Sequence, residues 1–118
     1  MRFRISTYVF VSGLGLALAS PLGVRAAPEP TVLVLKDHRF TPATLTVPAG
    51  RKVQIVLMNQ DRATEEFDSQ DLNVEELVTP NGRVTFSIGP LKPGTYAFMG
   101  EYHSETAQGR VIAVEAPP

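Results

Sequence analysis

From residue 31 onward the chain is a succession of short runs in which apolar and polar residues alternate, divided by Pro and Gly. Thr31-Val32-Leu33-Val34-Leu35 is β-branched and apolar and predicts a strand. Thr44–Val47 alternates and runs into a Pro48-Ala49-Gly50 turn, and Val53–Asn59 predicts a buried central strand. Glu65–Ser69 predicts a strand crossing one end of the domain. Glu75-Glu76-Leu77-Val78 precedes a Pro80-Asn81-Gly82 turn, after which Arg83–Ile88 alternates cleanly. Thr95–Phe98 and Arg110–Val114 complete the series. Ten Pro and nine Gly, many lying between these runs, leave no window for a long helix. The pattern predicts an all-β fold, a Greek-key β-sandwich.

The first residues follow a different rule. Arg2 and Arg4 precede a mostly apolar run, Tyr8–Ala19, and Val24-Arg25-Ala26 puts small residues at −3 and −1 of a cleavage site before Ala27. This is the pattern of a secretory signal peptide over residues 1–26, which places the mature domain, 27–118, in the periplasm. The apolar run is shorter than the ~20 residues of a spanning helix. A retained anchor on the outer face of the inner membrane is the second reading. With no cysteine, the chain has no disulfide, no thiolate metal ligand and no Cys nucleophile. The domain must hold by core packing alone. Eleven Lys and Arg against 12 Asp and Glu leave the full chain nearly neutral, the balance turning more acidic once Arg2, Arg4 and Arg25 depart with the signal segment, and no basic run points to nucleic acid. No Ser-His-Asp set or phosphate-cradling Gly loop is evident, and a lone site His argues against hydrolysis.

The order of the blocks resembles the cupredoxins, the blue-copper family. Phe40–Gly50 is similar to that family's opening F-x-P-x-x-l-x-V-x-x-G block, Pro80-Asn81-Gly82 to its P-x-G turn, and Leu91–Tyr96 to its L-x-P-G-x-Y entry to the metal loop. Phe98–Gly109 then has the layout of the loop itself, aromatic-x-Cys-x-x-His-x-x-x-Met-x-Gly. His103 stands at the loop His, Gly100 at the copper-binding Cys and Ala107 at the axial Met. Glu65 and Glu66, before Phe67, stand where the first copper His is expected. A trigonal two-His, one-Cys blue site cannot be built from these residues.

What the resemblance puts in its place is a group of harder donors near one end of the sandwich: Glu65, Glu66, Asp68, Glu101 and His103, with Met99 close by. Strand alternation sets Glu66 and Asp68 on one face and Glu65 with Phe67 on the other. If Phe67 is core, Glu66 and Asp68 point outward beside the loop and are slightly favoured; if the match to the first copper His governs, Glu65 is the inward ligand. Carboxylates with one imidazole suit Cu(II), Fe and Mn, and a Met sulfur also tolerates Cu(I). The strings Glu65-Glu66-Phe67-Asp68-Ser69 and Phe98–Gly109 are similar to those of small cupredoxin-like proteins found with bacterial high-affinity iron permeases. That resemblance implies copper as the cofactor, with iron second, and Fe(II) oxidation or electron transfer in ferrous iron uptake. The partners it implies are a membrane iron permease and a redox partner, with a dimer as a possible assembly. The alternatives are a copper carrier or buffer without turnover and an interaction module that binds no metal. Plainer roles compete at single residues. Glu pairs usually form a solvated face, Met99 is as readily a core filler, and His38 reads as a solvent-facing residue of the Lys36–Arg39 turn. Tyr96, Phe98 and Phe86 read as core.

Overall fold

The computed structural model describes residues 29–116; the expected signal segment, 1–26, lies outside them. Among the described residues nine strands form two sheets: β1 (Thr31–Lys36), β2 (Arg39–Thr41), β3 (Thr44–Pro48), β4 (Val53–Asn59), β5 (Glu65–Ser69), β6 (Val74–Val78), β7 (Arg83–Ile88), β8 (Gly94–Gly100) and β9 (Gln108–Val114). One sheet has the order β2-β1-β4-β7 and the other β3-β9-β8-β5-β6. β1 runs parallel to β4 and β3 parallel to β9. The other neighbouring pairs are antiparallel. The all-β sandwich expected from the alternation is the observed fold. Glu65–Ser69 differs in place: it does not cross an end but lies within the five-stranded sheet, between β8 and β6.

Alternation explains how the sheets meet. Leu33 and Leu35 of β1, Leu45 and Val47 of β3, Ile55 and Leu57 of β4, and Val111 and Ala113 of β9 point inward and are buried. Phe67 is at the centre of the core. Its ring centroid lies 4.8 Å from those of Phe86 and Phe98 and 6.1 Å from that of Phe40. Phe98 and Phe86 are therefore core, as expected, while Tyr96 is partly buried and its hydroxyl donates to the Lys92 carbonyl.

The connections at one end of the sandwich carry the chemistry. Asp37 and His38 join β1 to β2 as a two-residue hairpin turn with φ of 52° and 57°. Both central residues are left-handed, the geometry of a type I′ turn. The β4–β5 connection begins at Asn59, and a 3-10 turn, Glu101–His103, leads from β8 toward β9.

Candidate metal centre

The buried end of β5 places Glu65 under the loop. The residue is 1% exposed, and both carboxyl oxygens are engaged. Oε1 accepts from the Glu66 amide at 2.9 Å and from the Tyr102 amide at 2.8 Å. Oε2 lies 2.6 Å from Nδ1 of His103. A buried carboxylate needs such partners, because removing it from water uncompensated is costly. The loop beyond is closed by its own backbone: the Ala107 amide donates to the His103 carbonyl and the Gly100 amide to the Ala107 carbonyl, each at 2.8 Å.

The residues at the Cys and Met places of the resemblance explain how Glu65 fits. A Cβ on Gly100 would lie 2.7 Å from Glu65 Cδ, 2.9 Å from its Oε2 and 2.8 Å from the Ala107 methyl. The Glu65 carboxyl thus fills the volume into which a side chain at position 100 would project. Gly100 and the fully buried Ala107 leave room for it. A blue-copper centre does not fit this chain: the thiolate is missing and its space is taken.

His38 belongs to the same end: its side chain is 42% exposed, as its turn suggested, yet it also meets the loop. Its ring stacks on that of His103, with centroids 3.6 Å apart and planes at 11°. The turn is held by Asp61, whose carboxylate accepts the Asp37 amide at 2.7 Å and the His38 amide at 2.9 Å and sits 3.5 Å from His38 Nδ1. Burial alone would raise the Asp61 carboxyl, but those amides and the His38 and His103 imidazoles hold it below its usual value. Asp61 is in turn placed by Asn59, whose side chain accepts the Asp61 amide at 2.9 Å and donates to the Ala63 and Thr79 carbonyls. Sequence reasoning named Asn59 only as the end of a strand and did not single out Asp61. The signal available was an Asn-x-Asp at the end of a strand, a common side chain-to-backbone turn.

The outer face of the five-stranded sheet carries a second group. Carboxylate oxygens of Glu66, Asp68 and Glu101 lie within 4.8 Å of one another. Glu66 is pushed up to about 7, first by its side-chain hydrogen bond with Glu101, then by desolvation and by the charges of Glu101, Glu75 and Asp68. Met99 is exposed beside Asp68, its partner across β5 and β8. The two readings of β5 therefore hold together: Phe67 is core, Glu65 points inward, and Glu66 and Asp68 point outward. Of the six residues singled out, Glu65 and His103 meet inside, and Glu66, Asp68 and Glu101 meet outside. Consecutive residues, Glu65-Glu66 and Glu101-Tyr102-His103, join the two groups. The inner group's two imidazoles, His38 and His103, suit Cu(II), while the outer all-oxygen group fits harder cations.

Known proteins agree with this architecture. An uncharacterised protein of Rickettsia prowazekii (strain Madrid E) is 40% identical over 80 residues, covering 68% of this chain. The chain spans 64% of that relative's length. Among solved structures, auracyanin A, a "blue" copper protein from Chloroflexus aurantiacus, matches 75% of this chain and 100% of its own with a TM-score of 0.63 at 16% identity. Amicyanin from Paracoccus versutus covers 78% of this chain and 86% of its own with a TM-score of 0.58, also at 16% identity. At those identities the likeness is one of fold. The model of the cupredoxin-like domain matches residues 8–113, nearly the whole chain, and the protein belongs to that family.

Proposed function

We propose that this protein is an exported, copper-binding cupredoxin-like domain that handles ferrous iron, oxidising it beside a membrane iron permease. The observation that carries the reading is the joining of two unlike donor groups through neighbouring residues. The stacked His38 and His103 imidazoles over Glu65 sit beside the carboxylates of Glu66, Asp68 and Glu101. Copper held at the histidine end would supply a one-electron couple. The carboxylates draw in and hold Fe(II), and their accumulated negative charge favours the ferric product over the ferrous substrate. Each turnover removes one electron from Fe(II), and a redox partner accepts it. The short separation along the chain keeps the two ends in fixed register, and the exposure of Glu101 and Met99 leaves the outer group open to a docking partner. The charged, apolar and small-residue order of the first 26 residues supports a place outside the inner membrane.

The test is a copper titration of the purified domain, followed by Fe(II) consumption with and without copper in the presence of an electron acceptor. Copper binding at micromolar concentration with faster loss of Fe(II) is the expected result. Binding without any gain in Fe(II) oxidation would make the protein a copper carrier. No binding would leave an interaction module.

A further inference from the structure

We infer that Glu65 acts as a built-in anion that fixes the tautomer of His103, so that the ring offers Nε2, and not Nδ1, to a metal. This deepens the copper reading above and rests on it only for the identity of the metal.

The assignment follows from where the proton must lie. Oε2 of Glu65 and Nδ1 of His103 are 2.6 Å apart, so one proton is shared between them. Oε1 of the same carboxyl already accepts two backbone amides, from Glu66 and Tyr102. With Oε1 occupied by two donors, Oε2 is the acceptor left for the ring, and since an imidazole is ordinarily the stronger base of the two group types the proton is assigned to Nδ1. An imidazole with Nδ1 protonated carries its free lone pair on Nε2. Among the described residues Nε2 of His103 has no hydrogen-bond partner, and the side chain is 30% exposed. A carboxylate accepting from the inner ring nitrogen is the arrangement that sets tautomer and ring orientation for an imidazole ligating through the outer one.

The packing makes the exchange of roles specific to this chain. Glu65 can reach His103 only because residue 100 has no side chain; any Cβ there would strike the carboxyl. The space opened by Gly100 is therefore filled by an anion that belongs to the protein and stays with or without metal. Glu65 is on this account a positioning residue and not a ligand. The His38 ring repeats the arrangement more loosely, with Asp61 3.5 Å from its Nδ1.

Long-range proton–nitrogen NMR of the metal-free, nitrogen-15-labelled protein reads the tautomer directly. His103 is expected to show a protonated Nδ1, with its proton far downfield, and an unprotonated Nε2. Adding Zn(II), a diamagnetic probe, should shift Nε2 and leave the Nδ1 proton in place. Glu65→Gln can offer its amide N–H to Nδ1, so the ring should change to the Nε2–H form and Zn(II) and Cu(II) affinity should fall about 10- to 100-fold. A parent protein with His103 in the Nε2–H form overturns the inference, as does loss of the Nδ1 proton on adding Zn(II). A Glu65→Gln variant that is folded and unchanged in tautomer and affinity also overturns it. If that variant does not fold, the parent spectrum alone decides. Should copper fail to bind at all, the tautomer still stands or falls by the metal-free spectrum, and the copper reading alone is lost.

Discussion

A single added methyl group tests the filled space at position 100. Gly100→Ala places a Cβ against both the Glu65 carboxyl and the Ala107 methyl, and overpacking of this kind costs about 1–3 kcal/mol. Urea denaturation should show that loss with an unchanged m-value. His103→Ala should act on binding and on stability together. Copper affinity is expected to fall at least about tenfold, and unfolding should move to lower denaturant by about 1–3 kcal/mol, because Oε2 of the buried Glu65 loses its partner; circular dichroism checks that the fold is kept. Affinity equal to the parent's would move the site elsewhere. At this scale the sequence was partly legible. That Glu65 and Glu66 face opposite ways follows from the period of two. That Glu65 meets His103 does not, because the partners are 38 positions apart and only the packing at Gly100 brings them together.

β5 shows what one strand can do with its two faces. Inward, Phe67 joins Phe40, Phe86 and Phe98, and Phe67→Ala should cost about 3–5 kcal/mol in chemical denaturation. Outward, Glu66 shares its environment with Glu101, Glu75 and Asp68, which raises its carboxyl from an ordinary 4.5 to about 7. The folded chain thus holds this proton more tightly than the unfolded chain does. The stability linked to it is complete below pH 4.5 and is lost as pH rises to 7. Through this group, metal-free protein should therefore melt at a lower temperature at pH 8 than at pH 5. Glu101→Gln, which removes the leading cause, should raise the melting temperature at pH 8 and flatten the difference. Asp61 works in the other sense and at lower pH. Its carboxyl is held below 3.8, so its contribution is present above that value and fades in stronger acid. The longer strands were legible because alternation, Pro and Gly mark them. β2 was not: three residues are too few to show a period, and Asp37-His38 lacks the Asn-Gly chemistry that announces a tight hairpin.

The whole molecule keeps a cupredoxin-like frame and changes what sits in it. Copper-loaded protein should lack the intense visible band of copper–thiolate charge transfer, and an absorption spectrum taken during titration checks this. A strong band would contradict a chain that has no cysteine. The frame also leaves one costly join. Two consecutive residues other than glycine in left-handed conformation, Asp37 and His38, each carry a penalty of roughly 1–2 kcal/mol, and Asp61 ties them down through their amides. Evolution toward heat resistance would find an easy gain there, by exchanging His38 for glycine. The same exchange deletes one of the two stacked rings. With copper bound as proposed, screens of this protein for thermal tolerance alone should enrich variants at position 38 that outlast the parent on heating and bind copper less tightly, which sets durability against binding in one hairpin.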